Sequence, residues 1–149
     1  MPGHTQPPQP APKPLERWLI ALIALAAYSI LPPYLGPLLG LKLDVAASVE
    51  VIDHVIPGVL AIAAGLLALS FARRGETDSI RALSALGVCA LCALMQTVSH
   101  IPLVLEAGEP QAPVGSVILH SSPGPVLLAL SVWLLLRPSP GEAKAAGRA

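Results

Sequence analysis

Four long apolar segments, separated by short polar links, constrain this chain more than any other feature of its sequence. They run from Trp18 to Leu41, from about Val51 to Ala72, from Ala82 to about Leu105, and from about Val114 to Leu136. Each is long enough to cross about 30 Å of hydrocarbon at about 1.5 Å per helical residue. Helices are expected because a segment in lipid must satisfy its own backbone N–H and C=O groups. The sequence therefore predicts an all-α, multi-pass integral membrane protein.

The composition supports this class and disfavours others. Of the 149 residues, 54% are hydrophobic and 12% are charged, whereas a soluble domain carries about 25% charged residues. The formal net charge is zero and no basic block occurs, so nucleic-acid binding is not expected. The sequence also contains no nucleophile–base pattern, glycine-rich phosphate loop or paired catalytic carboxylates, which favours a non-enzymatic role.

The distribution of positive charge predicts the orientation in the membrane. Residues 1–14 form a proline-rich tail that is expected to be disordered. If this tail lies in the cytoplasm and the four segments alternate in direction, the outer face carries one basic residue, Lys42. The cytoplasmic face then holds Lys13, Arg17, Arg73, Arg74, Arg81, Arg137, Lys144 and Arg148. This asymmetry is the positive-inside pattern. It predicts a cell-membrane protein, of the bacterial inner-membrane type, with residues 138–149 forming a second cytoplasmic tail.

An internal repeat divides the chain into two similar halves. The stretch VIDHVIPG, which begins at Val51, recurs as VILHSSPG from Val117, with five identical positions that include His, Pro and Gly. RWLIALIALA from Arg17 recurs in part as RALSALGVCA from Arg81. These matches predict two tandem, parallel transmembrane hairpins, residues 15–74 and 79–137, related by an axis along the membrane normal. Together the hairpins are expected to close into a four-helix bundle.

The histidines are the chemically distinctive residues of the apolar segments. His54 and His120 occupy equivalent positions in the repeat, and His100 lies near the outer end of the third segment. Polar groups inside membrane segments are costly and usually face the bundle interior or a cavity. The three histidines with Asp53 are candidate ligands for a transition metal, because imidazole and carboxylate groups suit such ions. The symmetric pair His54 and His120 alone suits bis-histidine haem ligation.

A structural interpretation of the histidines competes with the metal-binding and haem-binding hypotheses. Each repeated histidine would bond a backbone carbonyl freed by the proline three residues later, Pro57 or Pro123, and so stabilise a helix kink. The protein would then be a small membrane scaffold or accessory subunit, working in a membrane protein complex or as a homo-oligomer. This is the role that the sequence favours, and the alternatives are a haem-binding electron-transfer protein and a metal- or ion-handling transporter component.

Small residues predict where helices pack closely. Gly58 and Gly124, which follow the repeated prolines, are expected to let a neighbouring helix approach. The C-x-x-C pattern from Cys89 to Cys92 lies about 12–16 Å into the bilayer, where hydrocarbon disfavours the thiolate that a thiol oxidoreductase needs. The two cysteines are therefore predicted to serve packing.

Overall fold

The computed structural model describes residues 13–35, 51–109 and 113–138, together with Leu38 and Val49. Within them the regular structure is helical throughout, which confirms the all-α class. The elements are α1 (Lys13–Tyr28), α2 (Pro32–Leu35), a π-helical turn (Val51–Val55), α3 (Ile56–Arg73), α4 (Ile80–Ser99), α5 (Ile101–Leu105), α6 (Val114–Ser121) and α7 (Pro123–Leu136). Most of both predicted tails, residues 1–12 and 139–149, lies outside the described residues.

Three helical stretches are long and apolar enough to cross a membrane. They are Ile52–Arg73, Ile80–Ser99 and Val114–Leu136. Leucine, isoleucine and valine side chains cover much of their outer surface; Leu66 and Leu91, for example, are exposed. Such a surface is solvated favourably by lipid, so these stretches support the predicted association with a bilayer.

The first apolar segment is shorter as a helix than the sequence predicted. Its α-helix ends at Tyr28 after 16 residues, whereas a span needs about 20. Pro32 and Pro33 have no backbone N–H, so they cannot donate to the carbonyls of Tyr28 and Ser29 one turn earlier. The helix therefore stops before these prolines and resumes only as the short α2. At the other end α1 begins at Lys13, inside the predicted tail.

The long helices pack side by side around a core of small and branched residues. Helix α1 contacts α3 and α7, and α4 contacts the same two helices. The most deeply buried apolar side chains are Leu19, Leu22, Ala26, Ala61, Ala72, Leu86, Cys89, Ala93, Val117, Leu127 and Leu134. Cys89 donates through Sγ to the carbonyl oxygen of Ala61 at 3.4 Å, and Cys92 is also buried. Both cysteines thus lie where a packing role requires them.

Glycine allows the helices to approach closely near one end of the molecule. A Cβ atom on Gly124 would lie 3.0 Å from the backbone nitrogen of Thr97 and 3.2 Å from Cβ of Gln96. A Cβ atom on Gly58 would collide with the side chain of Ile30. The predicted close contacts at both glycines are confirmed, and they bring α7 against α4 and α3 against the residues that directly follow α1.

At the opposite end of the protein, the start of α1 contacts the last turns of α3 and α7. Nε of Arg73 lies 3.7 Å from Oε2 of Glu16. Trp18 and Trp133 pack edge to face, with ring centroids 5.3 Å apart. These contacts place the N-terminal end of α1 and the C-terminal ends of α3 and α7 together, away from the histidines.

Candidate metal centre

Three histidines from three separate helical stretches meet at the end of the protein that carries Gly58 and Gly124. His54 lies in the π-helical turn, His100 directly follows α4, and His120 lies in the last turn of α6. Their exposed fractions are 3%, 7% and 3%. The ring centroids are 4.6, 4.9 and 5.0 Å apart, and one ligand nitrogen of each ring lies within 4.8 Å of the other two. The structure therefore brings the three predicted histidines into one buried cluster.

Interruptions of the helices place these rings. The stretch that carries His54 begins as a π-helical turn before Pro57, and the stretch that carries His120 bends at Ser122 before Pro123. Both helical stretches therefore begin before their proline, and the stretch that carries His120 bends next to it. Because proline lacks an N–H, the regular ladder of backbone bonds cannot run through it. π-Helical turns of this kind occur frequently at functional sites.

The ring of His54 is oriented by the first apolar segment. Its Nδ1 lies 3.1 Å from the carbonyl oxygen of Ser29. The helical partner of that oxygen would be the N–H of residue 33, which is a proline and has none. A carbonyl oxygen can only accept, so Nδ1 of His54 carries the hydrogen. The carbonyl that His54 contacts is therefore one that Pro33, on another helix, leaves without its helical donor.

The ring of His100 is oriented by the end of its own helix. Its Nδ1 makes a short contact with the carbonyl oxygen of Gln96. The hydroxyl of Ser99 donates to the same oxygen at 3.1 Å. Since two acceptors would repel at such a short separation, Nδ1 of His100 must also carry its hydrogen.

The ring of His120 lies close to the start of α2. The backbone carbonyl of Pro32 is near this imidazole. Nδ1 of His120 is buried and has no hydrogen-bond partner among the described residues. Burial of a polar nitrogen without a partner is costly, and imidazole nitrogen is a common metal ligand, so this atom is a candidate ligand.

The hydrogen positions leave a conflict between the first two rings. Nε2 of His54 and Nε2 of His100 face each other at 3.0 Å. With both hydrogens on Nδ1, neither Nε2 can donate, so two lone pairs point at each other unless a proton or a metal ion lies between them. Two imidazoles on a tetrahedral metal at about 2.0–2.1 Å would hold their nitrogens about 3.3 Å apart. Metal-binding histidines usually donate their other N–H to a carbonyl or carboxylate, as both rings do here.

The same geometry disfavours haem between the two repeated histidines. The rings of His54 and His120 touch edge to face with centroids 4.9 Å apart. Bis-histidine ligation instead requires the two imidazoles on opposite faces of a porphyrin, with the macrocycle between them. A porphyrin does not fit between rings in contact, and a third histidine occupies the same space. The residues that converge therefore suit a single ion better than a macrocycle.

Asp53 lies beside the cluster without joining it. Its carboxylate is not among the ligand atoms that converge. It lies in a groove between the π-helical turn and α4. The groove is lined by Ile52, Asp53, Pro57, Leu94, Met95, Val98 and Ser99. The predicted fourth ligand is thus separate from the three-histidine group in this structure.

Two polar residues that received no role from the sequence hold the cluster in place. Nε2 of Gln96 donates to Oγ of Ser29 at 3.2 Å and to the backbone oxygen of His54 at 3.3 Å. Gln96 and Ser29 are both almost fully buried. The sequence did contain a signal for these two residues, because each is a polar residue in an apolar segment. Polar groups are costly there and usually serve a function.

Comparison of the chain with protein-family models, curated proteins and solved structures finds no match. The fold and the site together define a helical protein of membrane type with a buried cluster of three histidines. A helical arrangement of this kind hosts many functions. The function is therefore argued from the cluster.

Proposed function

We propose that this chain is a multi-pass membrane protein that binds one transition-metal ion through His54, His100 and His120. The observation that carries the proposal is the 3.0 Å separation of the two Nε2 atoms of His54 and His100, whose rings each give their Nδ1 hydrogen to a backbone carbonyl. A cation between these atoms removes the repulsion, and imidazole suits Zn²⁺, Co²⁺, Ni²⁺ and copper. Among the alternatives raised by the sequence, this supports a metal-handling membrane component ahead of a haem protein.

Metal binding is tested on the full chain, purified in detergent with an affinity tag that contains no histidine. Titration with Co²⁺ is followed by visible absorbance, and the expected result is one ion per chain. His100→Ala is expected to weaken binding by more than the about 10- to 100-fold that follows loss of a ligand's hydrogen-bond partner. His4→Ala, in the proline-rich tail, is the matched control and should bind as the parent does. Equal affinity in both variants would overturn the proposal.

Asp53→Asn separates a three-histidine site from one completed by the carboxylate. Because Asp53 lies outside the converging ligands, this variant is expected to retain the parent affinity for Co²⁺. A loss as large as that of His100→Ala would make Asp53 a ligand, as the sequence suggested.

The membrane arrangement that accompanies this site has four crossings, two tandem hairpins and both termini in the cytoplasm. It is supported by three helices of sufficient length, by the packing of α1 against α3 and α7, and by the basic residues next to the end opposite the histidines. Glu76→Cys and Glu106→Cys, each in a background without the native cysteines, test it. An impermeant maleimide applied to intact cells should label only residue 106; labelling of residue 76 would overturn the topology.

A structural role is the second candidate, as a scaffold or accessory subunit in a membrane complex or homo-oligomer. The observation that favours it is the hydrogen-bond network that ties Ser29, His54 and Gln96 across three helices. Thermal unfolding with and without Zn²⁺ distinguishes the two roles. A bound ion at about 100 times its Kd stabilises the protein by about 2.7 kcal/mol, whereas a purely structural cluster gives the same midpoint in both conditions.

A further inference from the structure

We propose that the ion held by the three histidines keeps a fourth, exchangeable position, occupied by a water molecule between Gln96 and Ser121. This inference rests on the proposed function. Three protein ligands and an exchangeable water are the arrangement of catalytic metal sites, whereas structural sites are closed by four protein ligands. The ligand class is therefore a small oxygen donor or a small monodentate anion.

Buried polar atoms without partners carry the argument. Among the described residues they are Oε1 of Gln96, Nδ1 of His120 and Oγ of Ser121. The exposed fractions of these three residues are 2%, 3% and 7%. Buried polar atoms are normally bonded, and one left without a partner is costly. Three such atoms at one end of the protein point to a ligand.

The orientation of the Gln96 amide is fixed by its neighbours. Its nitrogen faces the backbone oxygen of His54, which can only accept, and Oγ of Ser29, whose hydrogen goes to the carbonyl of Ala26. The amide oxygen is therefore the group that faces away from both. It requires a hydrogen-bond donor.

Ser121 differs from four other hydroxyl residues of the described helical segments. Ser29, Ser70, Thr97 and Ser131 each donate to a carbonyl three or four residues earlier on their own helix. Ser121 is buried in a helix as well, yet its hydroxyl makes no such bond. Its hydroxyl is thus left available for a ligand.

The two residues lie at the same contact between α7 and α4. Ser121 is the residue after His120 and lies one turn before Gly124, whose backbone approaches Cβ of Gln96. One ion with one water satisfies all three atoms. Nδ1 of His120 binds the ion, and the two O–H groups of the water donate to the oxygens of Gln96 and Ser121.

Addition of azide to the Co²⁺-loaded protein in detergent tests the exchangeable position. The visible bands of Co²⁺ should shift and saturate as azide replaces the water. Ser121→Ala should change the azide affinity by about tenfold, the effect expected when a ligand loses its hydrogen-bond partner. Ser131→Ala removes an equally buried hydroxyl that bonds its own helix and should leave the azide affinity unchanged.

The outcomes separate this inference from the proposed function. Failure to bind Co²⁺ at all would overturn both. Binding of Co²⁺ with a spectrum that azide does not change would leave the metal site standing and show that its fourth position is closed. A Cu²⁺-loaded sample in ¹⁷O-labelled water gives a second readout, because a bound water produces an oxygen coupling in pulsed electron paramagnetic resonance. Absence of that coupling would also overturn the inference.

Discussion

Gly124→Ala tests whether close packing of α7 on α4 holds the histidine end together. The new Cβ would lie 3.0 Å from the backbone nitrogen of Thr97, 3.1 Å from its hydroxyl oxygen and 3.2 Å from Cβ of Gln96. Because backbone and Cβ atoms cannot rotate away, the helices must separate. Overpacking of this kind costs about 1–3 kcal/mol, against which the better helix propensity of alanine returns at most about 1 kcal/mol.

Gly87→Ala on α4 is the matched control, because nothing lies within 4 Å of its added Cβ. Since both variants exchange glycine for alanine in a helix, the propensity gain largely cancels, and Gly124→Ala should be less stable than Gly87→Ala by about 1–3 kcal/mol. The free energy of unfolding is measured in metal-free protein, in mixed micelles of a mild detergent with increasing dodecyl sulfate. Gly124→Ala as stable as Gly87→Ala would refute the packing argument.

Three further predictions follow from single contacts. Pro33→Ala restores a backbone N–H that competes with the ring of His54 for the carbonyl oxygen of Ser29. The affinity for Co²⁺ should therefore fall by about 10- to 100-fold. An unchanged affinity would show that this carbonyl does not orient the ring. Ser79→Ala removes the N-cap bond of α4, 3.2 Å long, and should cost about 1 kcal/mol in unfolding free energy, whereas Thr77→Ala, outside the cap, should cost less. Cys89 should resist maleimide in the folded protein and react after denaturation, and rapid labelling before denaturation would contradict its burial.

Hydrophobic length predicted most of the fold, and proline chemistry explains where it did not. The second, third and fourth segments correspond to the three membrane-length stretches, because long apolar runs leave helix as the one way to satisfy the backbone in lipid. The first segment has the same apolar character, yet α1 ends at Tyr28. Mean hydropathy does not register a missing backbone N–H, so it does not predict that the helix ends before Pro32 and Pro33.

The repeat was enough to predict which histidines form the candidate site. It did not predict how their rings are oriented or which nitrogen atoms carry hydrogen. Two histidines in one frame, with His100 at a similar depth, were enough to predict a cluster. Ring direction depends on the helix phase after each interruption, and the π-helical turn at Val51–Val55 changes that phase by an amount that no periodicity encodes. The role of Gln96 and Ser29 depends on the same unknown, because they matter only when their side chains face the rings.

Prolines connect the fold to the proposed metal site. Pro32 and Pro33 follow the end of α1, and their missing N–H groups leave carbonyl oxygens one turn earlier without helical donors. In lipid those oxygens would be costly, so a nearby imidazole N–H satisfies them, as His54 does for Ser29. An imidazole that gives its hydrogen to a carbonyl necessarily presents a bare nitrogen on its other side. When two such rings are brought together, as Nε2 of His54 and Nε2 of His100 are, the contacts that stabilise a broken helix also form the cation site that we propose. The structural role and the proposed metal-binding role of these histidines therefore follow from the same hydrogen bonds. Whether an ion binds between the rings is the observation that separates the two roles.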